Sequence, residues 1–210
     1  AMKEHNVPDW YIESCYKIKY MFPKAHAAAY MIATLRLGWY KVHYPVEYYA
    51  AYFTVRSEDF DGATAVQGRA AVQRRMRELE QKQKEHQSTV KEDAAYSTFQ
   101  IINEMLCRGI ELLPVDIMRS DPIKFVIDGP KRLLPPLLVE DGKIRLPFSS
   151  LPGVGEAAAH SLYEACTGGE EFISIDEVQS RAKVSSAVID VLKSAGALQG
   201  LPDSSQTSLF

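Results

Sequence analysis

The segment Leu151-Pro-Gly-Val-Gly155, followed by Glu156 and three alanines, constrains the fold of this chain more than any other stretch. Glycine adopts left-handed backbone angles at no steric cost, and proline followed by glycine marks a tight turn. The alanine run after the turn is typical of a helix. We therefore predict a hairpin turn that opens a helix, within a mainly α fold.

The same turn predicts a contact with phosphate. Two glycines let a phosphate approach the backbone, and the N–H groups at a helix N-terminus attract anions. The predicted DNA-binding residues are Gly153, Val154, Gly155 and Glu156. Contacts of this kind reach the nucleic-acid backbone and carry no sequence information. A purely structural turn is the alternative, because the acidic Glu156 opposes a phosphate.

A second, degenerate hairpin is predicted downstream. Ser174 and Glu177 have the spacing of a capping box for a helix over 175–182, and Ser185 is a predicted cap for a helix over 186–195. Val184-Ser185 stands where the first hairpin has Gly-Val-Gly. The two turns together predict tandem helix-hairpin-helix units at about residues 149–200.

Helical patterns punctuated by proline dominate the rest of the chain. The predicted helices cover about residues 10–20, with Asp9 as N-cap, 24–43, 46–54, 70–87 and 90–108, separated by a loop over 55–69. A strand at 123–127 and a hairpin of 137–139 with 144–146 around Asp141-Gly142 predict a small β element. Tyrosines recur every four residues from Tyr40 to Tyr52, which favours core packing over base stacking.

Charge is distributed unevenly, although the net charge is only −3. No acidic residue occurs from Ser14 to Val46, a stretch that carries several lysines and Arg36. Residues 149–210 carry three basic and eight acidic side chains, a net of −5. This distribution predicts phosphate contact near the start of the chain and protein contact near its end.

The chemistry-bearing side chains form no recognisable catalytic or metal-binding set. Asp59-Phe-Asp61 has the spacing of a magnesium-binding pair, but no third carboxylate stands in a recognisable setting. The histidines show no metal-ligand spacing. Three cysteines, far apart and without a Cys-x-x-Cys motif, favour a reduced, cytoplasmic compartment. No uninterrupted apolar run of membrane-spanning length occurs, so we expect no membrane partner.

The last five residues, Gln206-Thr-Ser-Leu-Phe210, follow a segment of proline, aspartate and serine that predicts no sheltering element. Two large apolar side chains on such a tail gain free energy only if an apolar cleft receives them, within this domain or on another protein. Gln206 and Ser208 would add hydrogen bonds beside Leu209 and Phe210. The pattern resembles the peptide that bacterial replication proteins insert into the sliding clamp.

Several motifs in order resemble the PolC type of bacterial family C replicative polymerases, the DNA polymerase III alpha subunit of Gram-positive bacteria. They are Phe-Pro-Lys24-Ala-His26-Ala-Ala-Ala-Tyr30, Lys41-Val-His43-Tyr-Pro45, Tyr52-Phe-Thr-Val-Arg56, Phe125-Val-Ile-Asp-Gly129, the Leu151 hairpin and the terminal pentapeptide. Residues 62–95 match this pattern weakly, and residues 130–146 are longer than it.

The resemblance implies a fragment of a DNA-directed DNA polymerase whose whole chain also contains an exonuclease. Residues 1–60 would end the fingers, with Lys24, His26, Tyr30 and Arg36 near the nucleotide or template. Residues 61–200 would bind the primer-template duplex, and 201–210 would be a flexible tail for the clamp, the beta subunit. The palm aspartates that hold Mg²⁺ would lie upstream, so we expect no catalytic residue, no metal site and no polymerisation from this chain alone. A non-enzymatic helix-hairpin-helix adaptor is the alternative, favoured by the acidic C-terminal region.

Overall fold

The computed structural model describes residues 1–19, 23–56, 60–129, 142–167 and 171–204. The described residues are mainly helical with a small three-stranded sheet, so the predicted fold class is confirmed. The chain divides into two compact units, Ala1–Val42 and His43–Phe210. The predicted domain bounds of 1–60, 61–200 and 201–210 stay predictions.

The first unit holds a 3₁₀ turn, Lys3–His5, the helix α1, Asp9–Lys17, and most of the helix α2, Pro23–His43. Asp9 was predicted as the N-cap of α1, but Pro8 takes that position and Asp9 begins the helix. Pro8 has an extended backbone that suits a cap, and Asp9 still places an acid in the first turn. Side chains from Pro23 to Tyr40 are all exposed.

The second unit contains the remaining elements. Its helices are α3, Pro45–Val55, α4, Gly62–Ala65, α5, Arg69–Lys84, α6, Val90–Cys107, α7, Glu156–Thr167, α8, Ile175–Ala182, and α9, Ser186–Ser194. The short helix α4 corrects the predicted loop over 55–69. It forms because the Asp61 carboxylate accepts the Thr64 N–H at 3.0 Å and caps the turn.

Helix ends in the second unit follow capping chemistry. Thr89 and Glu92 form a full capping box at the start of α6. At α8 the box is displaced by one residue, since Ser174 accepts the Glu177 N–H while the Glu177 carboxylate accepts the Ile173 N–H at 2.8 Å. Gly196 follows α9 with a φ of 74°, a left-handed ending for which glycine is the usual residue.

The sheet contains β1, Glu111–Leu113, β2, Val126–Ile127, and β3, Lys143–Arg145. The central strand is β3, parallel to β1 and antiparallel to β2. The strand β1 was not predicted. The predicted strand at 123–127 keeps only its last two residues, because the Asp121 carboxylate accepts the N–H groups of Ile123 and Lys124 in a turn. Residues 137–139, the predicted partner of 144–146, lie outside the described residues.

Aromatic side chains form the centre of the core in the second unit. The ring centroids of Phe53, Phe60 and Phe125 lie 4.8 to 5.7 Å apart. Tyr49 and Phe53 on α3 are fully buried. The predicted tyrosine stripe is interrupted because α2 ends before Pro45, and its Tyr48 and Tyr52, on α3, pack half-buried against this core.

Candidate nucleic-acid interface

The predicted hairpin joins a 3₁₀ turn, Phe148–Ser150, to the helix α7. Gly153 has a φ of 89°, so its left-handed conformation requires glycine. The Val154 N–H donates to the Leu151 carbonyl at 3.0 Å, and the Val154 side chain is 5% exposed. Burial of the Val154 side chain thus stabilises the turn. Its N–H is already bonded to Leu151 and is not available to a ligand.

The N-terminus of α7 presents the remaining donors. The Gly155 carbonyl accepts the Ala159 N–H at 2.9 Å, so the first-turn N–H groups that follow Gly155 have no acceptor within the helix. Gly155 is exposed, and a Cβ built on it would meet no heavy atom within 4 Å. Glu156 is exposed in the same turn. The arrangement suits an anion that approaches Gly155 from solvent.

An open cleft of about 710 Å³ lies beside this hairpin. Its charged lining comes from elements far away in the sequence: Asp61, Arg75, Lys91 and Glu92. Arg75 is half-buried and Lys91 is exposed. The cleft therefore combines the hairpin backbone with two cations and two carboxylates.

Both carboxylates, those of Asp61 and Glu92, already accept hydrogen bonds from other residues of the chain. Asp61 accepts hydrogen bonds from the backbone and hydroxyl of Thr64 at 3.0 and 2.8 Å. Glu92 pairs with Lys82 and accepts from the Thr89 N–H and hydroxyl. The bond from Lys82, followed by those from Thr89, lowers the pKa of Glu92 from 4.5 to about 2. Glu92 therefore stays ionised, with its charge offset by Lys82 rather than by the cleft cations.

The second hairpin, Lys183-Val184-Ser185 between α8 and α9, shares two features with the first. Lys183 has a φ of 52°, and Val184 is buried like Val154. Ser185 is the N-cap of α9, but its side chain makes no capping hydrogen bond. The turn therefore keeps the left-handed residue and the buried valine although the glycines are missing.

The four predicted nucleotide- or template-contacting residues all lie exposed on α2. His26 and Tyr30 are brought together, with ring centroids 4.2 Å apart. Lys24 is two residues before His26, a rotation of roughly 200° around the helix, so it lies on a different face. Arg36 is ten residues after His26, which is a rotation of roughly 80° away from that face. The helix does not gather the four side chains on one face.

Several predicted residues lie outside the described residues: the tail residues Gln206, Ser208, Leu209 and Phe210, and Asp59 of the aspartate pair. Asp61, the second member of that pair, is the cap of α4. Among residues 1–19, 23–56, 60–129, 142–167 and 171–204, no group of three or more His, Cys, Asp or Glu could hold a metal ion. None of the described helices is both long and apolar enough to span a membrane.

Arg75, Lys91 and Ser149 are not among the DNA-binding residues predicted from the sequence. All three line the cleft beside the hairpin. Local sequence held one signal for Lys91. It stands in the first turn of α6, where the helix dipole disfavours a cation and where Glu92 and Asp93 are the favoured residue types.

Comparisons with known proteins agree with this geometry. The family described as "Helix-hairpin-helix motif" matches residues 109–208, which include both hairpins. The chain is 44% identical over 210 residues to DNA polymerase III PolC-type of Streptococcus mutans and of Listeria monocytogenes. It is 43% identical over 209 residues to that of Halalkalibacterium halodurans.

These matches cover the whole of this chain but only 13 to 14% of the length of each relative. Along its entire length, the chain is therefore similar to one segment of the PolC-type DNA polymerases III, and it contains a helix-hairpin-helix motif.

Proposed function

We propose that this chain is the duplex-binding and clamp-attaching part of a PolC-type replicative DNA polymerase. The observation that carries this function is the hairpin of Gly153 and Gly155 in front of α7, within a chain that resembles PolC-type polymerases from end to end. The first-turn N–H groups of α7 bind a backbone phosphate of primer-template DNA. Because the contact is to the backbone, the grip is independent of sequence.

Substitution of Gly155 tests this contact without disturbing the turn. Gly155 lacks a positive φ and has open space around it, so Gly155→Val adds bulk where the phosphate would approach. Fluorescence anisotropy with two unrelated duplexes should show the same loss of affinity for both, at unchanged melting temperature. A Gly155→Val protein that binds both duplexes as the parent does would reduce the hairpin to a structural turn.

The adaptor alternative rests on one observation. Residues 149–210 carry a net charge of −5, which repels a polyanion and suits a protein partner. The two functions differ in their response to salt, because backbone binding releases counterions and weakens as salt rises. Duplex binding that is absent at low salt would favour the adaptor.

In the polymerase, Lys24, His26, Tyr30 and Arg36 would contact the incoming nucleotide or the template. Their support is the acid-free stretch from Ser14 to Val46 and the exposure of α2. Lys24→Ala in the full-length polymerase should raise the nucleotide KM or lower kcat about tenfold, which is worth ~1.4 kcal/mol. Unchanged steady-state kinetics would remove Lys24 from the nucleotide site.

The residues Gln206, Ser208, Leu209 and Phe210 would attach the polymerase to its sliding clamp through apolar burial. Deletion of residues 206–210 from the full-length polymerase should abolish clamp-stimulated synthesis and spare short extension without the clamp. Calorimetry in which the shortened and intact chains bind the clamp equally would overturn this role.

We also propose that nucleotide transfer on Mg²⁺ occurs in a part of the polymerase outside this chain. The described residues supply no carboxylate cluster for the metal, and their part in the reaction is to hold and orient DNA. Purified chain should therefore incorporate no nucleotide in a primer-extension assay, and template-dependent incorporation would contradict this assignment.

A further inference from the structure

The cleft beside the hairpin contains two cations that no sequence motif connects with it. Arg75 lies on α5 and Lys91 on α6, and both line the same cleft as residues 149–155. We propose that Arg75 and Lys91 bind a second phosphate group of the nucleic-acid strand whose first phosphate lies on the hairpin. This inference rests on the proposed function. It adds a second phosphate contact, made by α5 and α6, to the contact made by the hairpin.

Lys91 is available to bind an anion, because the two carboxylates in the cleft are bonded to other groups. The carboxylates of Asp61 and Glu92 are held by Thr64 and by Lys82 with Thr89, respectively. Within the described parts of the chain, Lys91 forms no ion pair, and it stands in a first turn that disfavours a cation. A phosphate would supply the missing negative charge.

Arg75 keeps most of its donors. Its single ion pair among the described residues, with Glu78 at 2.9 Å, is to a neighbour on its own helix, and the two side chains are 37% and 52% exposed. Exposed pairs of this kind contribute little free energy. The guanidinium has five N–H donors in a planar fork, so it can keep this bond and still bind a phosphate oxygen.

A third group independently indicates a ligand. The Ser149 hydroxyl oxygen is buried and has no hydrogen-bond partner among the described residues, and Ser149 lines this cleft. Buried polar groups without a partner are uncommon in proteins, and a bound water or ion is one explanation for them. After rotation of the Ser149 side chain toward the cleft, a phosphate oxygen there would accept its hydrogen bond.

A matched pair of double variants tests the proposal in the intact chain. Arg75→Gln with Lys91→Gln removes the two cleft cations. Arg77→Gln with Lys84→Gln makes the same change of charge with side chains that do not line the cleft. Arg77 is two residues from Arg75 and so lies roughly 200° around α5.

Anisotropy with a labelled duplex is then measured across a salt titration. The cleft variant should lower the magnitude of the slope of log K against log salt by about 0.9, the value for the one phosphate contact that Arg75 and Lys91 share. The control variant should keep the parent slope. Lys91→Arg should also keep it, because it retains the charge. Equal slope changes in the two double variants would overturn the proposal.

Two further measurements, duplex binding by Gly155→Val and competition by a deoxynucleoside triphosphate, distinguish failure of this inference from failure of the proposed function. If Gly155→Val weakens duplex binding while the cleft variant binds as the parent does, this inference fails and the proposed function stands. If the parent chain binds no duplex at any salt concentration, both fail. If a deoxynucleoside triphosphate displaces the duplex from the parent but not from the cleft variant, the cleft binds free nucleotide rather than the DNA backbone, and the proposal is overturned.

Discussion

Lys183 and Gly153 occupy the same position in the two hairpins, but only one of them is a glycine. Both have left-handed backbone angles, with φ of 52° and 89°. An L-residue in this conformation brings its Cβ close to the following carbonyl oxygen. The buried valine that follows each of them holds the turn in place, so the second hairpin tolerates the strain at Lys183.

We predict that Lys183→Gly stabilises the chain by about 1 kcal/mol, because glycine relieves this contact. Thermal or urea unfolding measures the change. Lys183→Ala is the matched control, since it removes the same charged side chain but keeps the Cβ. The control should give no gain. Equal stability of the Gly and Ala variants would show that the backbone at this turn is unstrained.

Glu92 makes folding sensitive to acid. Its pKa is lowered from 4.5 to about 2 by Lys82 and Thr89, so the folded chain favours the ionised carboxylate more than the unfolded chain does. This contribution is fully present above the unfolded pKa and is lost as the pH falls towards the folded pKa. The change of this contribution with pH is therefore confined to the acidic range, and the contribution is constant at neutral pH.

We predict that Glu92→Gln reduces the free energy of unfolding at neutral pH and that its difference from the parent shrinks between about pH 5 and about pH 2. Urea unfolding at a series of pH values measures this. Lys82→Ala should also reduce the acid dependence by removing the main partner. A difference that stays constant over this range would show that the bonds from Lys82 and Thr89 do not lower the pKa of Glu92.

At the scale of elements, the small sheet is held together by one buried cation. Arg145 on β3 is 8% exposed. Its guanidinium donates to the Asp128 carboxylate, which follows β2, and to the Pro114 carbonyl at 3.1 Å, which follows β1. Arg145 thus joins the ends of both neighbouring strands. Strands of two and three residues make few ladder hydrogen bonds, so these side-chain bonds matter for the sheet.

We predict that Arg145→Met destabilises the second unit by about 3–5 kcal/mol, since Asp128 and Pro114 would lose a buried donor. Arg119→Met is the control. Arg119 faces the same carboxylate at 3.8 Å but has a side chain that is 65% exposed, so its loss should cost less than about 1 kcal/mol. Chemical denaturation distinguishes the two. Similar costs would show that burial does not decide the strength of this pair.

At the scale of the whole molecule, aromatic packing unites distant parts of the second unit. Phe53 comes from α3, Phe60 from the segment before α4, and Phe125 from the residue before β2. The Phe125 N–H also donates to the Thr54 hydroxyl at 3.0 Å. Phe125 therefore connects the segment before β2 to α3 through both its backbone N–H and its ring.

We predict that Phe125→Ala lowers the free energy of unfolding by about 3–5 kcal/mol, because the surrounding rings cannot fill the cavity. Ile127→Ala, at a side chain that is 37% exposed two residues away, should cost about 1 kcal/mol or less. Urea unfolding provides the comparison. A small loss in Phe125→Ala would indicate that this part of the core collapses onto the cavity.

Sequence reasoning found the elements whose signals are local. Pro23 marked the start of a helix, Pro45 marked the end of the same helix, and the glycines at 153 and 155 marked the hairpin, because backbone angles are restricted residue by residue. It missed β1, a three-residue strand that is specified only by its partner β3. It also misplaced the cap of α1, where Pro8 and Asp9 both fit an N-terminus.

The amino-acid sequence by itself determined the mainly helical fold, the hairpin before α7 and the similarity to PolC-type polymerases. Each of these depends on residue types and short spacings. Only the tertiary structure decided that Arg75, Lys91 and Ser149 share a cleft with that hairpin, and that Arg145 joins both edges of the sheet. The physical reason is that these contacts join residues far apart in the chain, which packing of the core brings together and which no local pattern encodes.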